Sequence, residues 1–121
     1  MPARIAAFGG IVMAVFGLWA MVGPRSFFEQ VARFEPYNQH FLQDVGAFQL
    51  GLGAVLLLAL RYSDSLASGL LGVGIGSSAH VVSHAVGTDL GGSPAIDIPA
   101  LAILSGLLLV GGIMRVRHRL F

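Results

Sequence analysis

The sequence predicts an all-α integral membrane protein: an antiparallel, up-down bundle of four transmembrane helices, with a short interfacial helix between spans 1 and 2. Three observations carry this. Apolar residues fill 55% of the chain and charged residues only 11%, against roughly 25% charged in an ordinary soluble domain. A small soluble fold buries too little of its surface to hide that much apolar area, whereas lipid solvates it. The apolar residues also gather into four stretches, each near the ~20 residues that cross ~30 Å of hydrocarbon. Finally, the arginines segregate to alternate ends of those stretches.

The single domain, 1–121, divides into spans at about 5–23, 37–60, 65–86 and 95–114. Span 1 stops at Pro24, where a continuing helix would lose a backbone donor and clash. Its apolar run is too long for a signal-peptide core and no small-x-small site follows, so it is expected to remain as a span. In the stretch 25–36, Phe27, Phe28, Val31 and Phe34 recur at helical spacing among Glu29, Arg33 and Glu35. That pattern suits a short amphipathic helix at the membrane surface or, equally, a loop with aromatic anchors. Pro94 and Pro99 bracket the start of span 4, since proline fits the first helical turn. Trp19 and Tyr37 are placed as interfacial anchors.

Orientation follows from the arginines. Arg4, Arg61, Arg115, Arg117 and Arg119 fall on one side, and Arg25 and Arg33 on the other. The excess of positive charge in cytoplasmic loops then puts both termini in the cytoplasm of a multi-pass plasma-membrane protein. The few, dispersed basic residues give no footprint for nucleic acid. The absence of cysteine excludes disulfide scaffolds, thiol chemistry and iron–sulfur clusters.

Ionisable residues within spans are costly and tend to mark function. His40 and Asp44 stand four apart in span 2, and His80 and His84 repeat that spacing in span 3, so each pair shares a helix face. Helix rise brings the two pairs to one depth in the outer half. Small residues follow His40 along Asp44, Ala47, Gly51 and Ala54, and Gly76 precedes His80 and His84, so both pairs are expected to face the bundle interior. Three imidazoles and a carboxylate suit one transition metal ion, Zn, Fe, Mn or Cu, with Asp97 as a further or orienting partner and Gln39, Gln43 and Gln49 as hydrogen-bonding alternatives. The same residues also serve as a purely structural hydrogen-bond network between helices, as haem ligands or as a proton relay. Gly72 and Gly76 are expected to mediate close helix packing, and His118 to be solvated near headgroups.

The segment from Tyr37 through Gln39, His40, Gln43, Asp44 and Phe48, with His80-Val-Val-Ser-His84, resembles small four-span membrane proteins of bacteria, especially actinobacteria, and loosely the DoxX-like proteins. The resemblance covers the layout of most of the chain, and its specific part lies in spans 2 and 3. It implies a plasma-membrane bundle with His40, Asp44, His80 and His84 as shared polar positions. It also makes an accessory role in a respiratory or redox membrane complex thinkable. Two functions follow: a metal-binding membrane protein, or a non-catalytic subunit docked on a larger complex or on copies of itself.

Overall fold

The computed structural model describes residues 1–62 and 64–120, with the side chains of Arg119 and Leu120 outside the described residues. It consists of five helices: α1 (Pro2–Val22), α2 (Pro24–Gln30), α3 (Gln39–Arg61), α4 (Leu66–Val86) and α5 (Pro94–Leu120). No strand occurs among the described residues. α1, α3, α4 and α5 are long and apolar enough to cross a bilayer, and α2 is the short helix between the first two. The large apolar side chains Phe8, Ile11, Phe48, Ile75, Val82 and Ile103 are exposed, as lipid-facing residues are.

Local chemistry sets the boundaries. Gly23 separates α1 from α2, and Pro24 occupies the first turn of α2, so the chain turns without an unsatisfied proline site. Asn38 caps α3, its Oδ1 accepting from the Phe41 N–H at 3.0 Å. Removing that cap leaves an orphan donor at the helix start. Asn38→Ala is expected to cost about 1 kcal/mol, measured as a shift in reversible unfolding in mixed micelles; an unchanged midpoint would remove the cap from the account. α5 runs further than its hydropathy indicated, through Arg115 and Arg117, because nothing after Met114 breaks a helix. Pro99 lies inside α5 rather than at its start, which Pro94 supplies.

The bundle is two tight antiparallel pairs, α1 with α3 and α4 with α5. Between α1 and α3 the contact is backbone on backbone. A Cβ on Gly17 would come 2.5 Å from Leu50 N and 2.7 Å from Gly46 O, and one on Gly53 would come 2.7 Å from Ala14 N. In lipid no hydrophobic force drives helices together, so close approach over small residues is what holds them. The α4–α5 pair uses Gly74 and Gly112, which receive Leu109 and Leu71.

The pairs join at the end carrying both chain termini. There Ala6, Met13, Leu56, Ala59, Leu66, Leu70, Val73 and Leu108 form one buried cluster. Leu56, Leu70 and Leu108 are its largest fully buried side chains. Ile5 against Gly111 closes α1 on α5, and Gly69 against Ala59 closes α4 on α3. Arg4, Arg61, Arg115 and Arg117 belong to this end. At the opposite, loop end a second cluster of Ala20, Phe27, Phe28 and Leu42 packs α2 onto α1 and α3 alone. Trp19 is tied into that layer, its indole N–H donating to Ser26 Oγ at 2.9 Å and its ring edge-on to Phe27. The pairs therefore separate towards the loop end.

Two packing expectations are corrected. Gly72 and Gly76 would meet nothing within 4 Å if given a Cβ; Gly69 and Gly74 are the packed glycines of α4. On α3 the buried stripe is Leu42, Gly46, Gly53, Leu56 and Ala59, not His40, Asp44, Ala47, Gly51 and Ala54, all of which are exposed. Both stripes carry small residues, but only the Gly46–Gly53 stripe meets glycines on α1 at matching heights.

Candidate functional site

Where the pairs separate, a partly open cleft of about 580 Å³ lies between them. Phe16 and Ala20 of α1 and Leu42, Val45 and Gln49 of α3 form one wall. His80, Ser83 and His84 of α4, with Asp97, Ala100 and Leu101 of α5, form the other. Phe27, Phe28 and Phe34, from α2 and the segment after it, roof the cleft. A smaller recess continues deeper past Gln49, Gly76, Ser77 and His80. The lining is largely apolar and aromatic, with its polar atoms concentrated on the α4–α5 wall.

Those polar atoms form a line. His84 Nε2 lies 3.1 Å from His80 Nε2, and the rings meet edge-on with centroids 4.8 Å apart. On the other side of His84, Nδ1 faces Asp97 Oδ2 at 4.0 Å. The Asp97 carboxylate is itself positioned by the Ser93 N–H, which donates to Oδ2 at 2.6 Å. The helix places these residues in order. His80 and His84 are one turn apart on α4, and Asp97 sits in the first turn of α5, directly across the α4–α5 loop.

The roof is latched to that loop. Gly92 donates its N–H to Arg33 O at 3.1 Å, and Phe34 sets its ring edge-on to His84 at 5.8 Å. Gly91 and Gly92 have φ of +128° and +77°, which only glycine adopts without strain. A Cβ on Gly91 would stand 2.6 Å from Arg33 O, so the close approach also requires glycine.

The metal site drawn from His40, Asp44, His80 and His84 is overturned. Among the described residues no group of three or more His, Cys, Asp or Glu side chains is placed to hold a metal ion. The reason is helix phase. At about 100° per residue, His40 and Asp44 each lie about 160° round α3 from Leu42, which faces the cleft. They pair with each other at 3.5 Å on the outward face, their side chains 87% and 56% exposed. His80 and His84 do face inward, with Gly76 below them, as the α4 spacing indicated. Asp97 stands beside His84, its Oδ2 4.0 Å from Nδ1, with no metal-bound imidazole for it to orient among the described residues. Gln43 instead spans to α1, donating to Met21 O at 3.2 Å, while Gln49 lines the cleft.

What the residues alone did not indicate is the cleft. The sequence shows Phe16, Phe27, Phe28 and Phe34 grouped about the first two spans, a grouping that interfacial anchoring accounts for equally well. Comparison of the chain with protein families, with curated proteins and with solved structures finds no match.

Proposed function

We propose that the chain is a multi-pass plasma-membrane protein that binds a lipid-soluble amphiphile in the cleft at its loop end. The ligand's apolar body lies among Phe16, Phe27, Phe28 and Val45, and its polar head meets His80. Access is from the lipid, between the loop-end halves of α3 and α4. The arginine excess at the opposite end supports an outer-side position for the cleft.

The single observation that carries this reading is a large apolar cleft ending in an ordered polar line. The cleft is partly open, so its walls are covered by whatever the surroundings supply. Water gains little against phenylalanine and valine walls, so the favourable occupant is apolar. A bare acyl chain would satisfy the walls and offer nothing to the His80 end of the polar line. An amphiphile satisfies both, and the volume falls in the range of small-molecule sites, about 300–1,000 Å³.

The test is the ligand carried through purification in mild detergent, extracted into organic solvent and quantified by mass spectrometry. Native protein is expected to carry about one amphiphile per chain above the bulk lipid background. Val45→Trp and Ala100→Phe fill the cleft from opposite walls and should each reduce that occupancy about tenfold, the equivalent of about 1.4 kcal/mol. His40→Ala, on the outward face, should leave it unchanged. Equal extraction from native, Val45→Trp and Ala100→Phe protein would overturn the proposal.

A further inference from the structure

The polar line fixes what kind of head group the cleft accepts. An imidazole–imidazole contact at 3.1 Å needs an N–H on one ring and a lone pair on the other. The Asp97 carboxylate is an acceptor, and it faces His84 Nδ1. The ring nitrogen facing a carboxylate is the one that carries the proton, as the partner of one nitrogen sets the state of the other. At 4.0 Å the Asp97 carboxylate is beyond hydrogen-bond reach, but its charge favours the His84 tautomer with the hydrogen on Nδ1 and a lone pair at Nε2. In that arrangement His80 donates from Nε2 into the lone pair and keeps Nδ1 as an acceptor. The hydrogen bond to His84 is the side-chain bond that His80 makes. It lines both the cleft and the recess beneath it.

Resting on the cleft as a ligand site, we infer that the cleft selects amphiphiles whose head group is a hydroxyl, an alcohol or a phenol, and that His80 Nδ1 accepts the hydrogen bond it donates. Asp97 acts through His84 as a positioning residue. Its role is to polarise the two rings in one direction, and Ser93 holds the carboxylate in place for it. A ligand whose head only accepts, such as an ether, meets lone pair with lone pair at His80. In surroundings this apolar, an unmet acceptor is a penalty rather than a neutral loss.

The probes are 4-nonylphenol and its methyl ether, which differ in the one donor and share the apolar body. Each is titrated, at equal mole fraction in lipid, against the full chain in nanodiscs. Trp19 fluorescence is the readout, since its ring packs edge-on against the cleft residues Phe16 and Phe27. The phenol is expected to bind about tenfold more tightly than the ether, a difference of about 1.4 kcal/mol. His80→Phe keeps a ring of similar size without the acceptor. It should bring the two probes within about twofold, by weakening the phenol and relieving the ether of its unmet acceptor, and the ether's retained binding also reports that the variant folds. Equal affinity of both probes for the native chain would overturn the hydroxyl preference while leaving the cleft reading standing. A preference that survives His80→Phe would remove His80 as its source. Binding of neither probe would overturn the cleft reading and this inference together.

Discussion

Gly17→Ala is expected to destabilise the bundle by about 3 kcal/mol, whereas Gly51→Ala leaves it unchanged or up to about 1 kcal/mol more stable. Both substitutions add one methyl group to a helical glycine in a membrane span. At Gly17 that methyl group has no room. It would stand 2.5 Å from Leu50 N and 2.7 Å from Gly46 O, and neither backbone atom can swing aside as a side chain would. The α1–α3 pair must move apart, and with it go the contacts along Gly10, Gly46 and Gly53 that fit at the same approach. Overpacking at a rigid interface costs about 1–3 kcal/mol, and backbone opposition places this case at the upper end. At Gly51 nothing lies within 4 Å, so the change touches only helix propensity. The comparison is made by reversible unfolding in mixed micelles, followed by the fluorescence of Trp19, the chain's single tryptophan. Equal midpoints for Gly17→Ala and Gly51→Ala would mean that α1 and α3 are not held by this glycine seam.

The same pair of glycines shows how far the sequence could be read. Four spans and the short helix after Pro24 were legible, because hydropathy needs only length and composition, and a proline or a glycine marks the breaks. The face of each span was not. In a soluble helix the buried face is the apolar one, so periodicity finds it. Here both faces are apolar, and the choice rests on steric fit between two helices. On α3 the stripe with His40, Asp44, Ala47, Gly51 and Ala54 looked inward by its small and polar residues. The stripe through Gly46 and Gly53 won because Gly10 and Gly17 lie opposite it on α1. That one rotation of α3 dissolves the metal site. It carries half the ligands to the outer face and leaves Asp97, from a different helix, as the partner of His84.

Gly91→Ala is expected to open the roof of the cleft and raise access to its interior about tenfold. Any Cβ at this position meets two obstacles at once. The φ of +128° is strained for a residue with a side chain, at about 1–3 kcal/mol, and the added carbon would sit 2.6 Å from Arg33 O. The clash is relieved by retreat of the 31–38 segment from the α4–α5 loop, and a loop freed from that segment can then relax its own φ. That movement breaks the bond from Gly92 N–H to Arg33 O and lifts Phe34 from the His84 ring. A shift of about 1.4 kcal/mol between closed and open roof is a tenfold change in the open fraction. The chain has no cysteine, so Ser83→Cys on the cleft wall gives a single reporter for a membrane-impermeant maleimide. Labelling should quicken about tenfold when Gly91→Ala is added, and similarly with Phe34→Ala, which removes the plug itself. Thr88→Ala, in the same loop but outside the latch, should leave the rate unchanged. If Gly91→Ala and Thr88→Ala label at the same rate, the contact between Gly92 and Arg33 does not govern access. The roof would then be a static part of the wall, and the maleimide would enter by the same lateral gap between α3 and α4 that admits the ligand from the lipid.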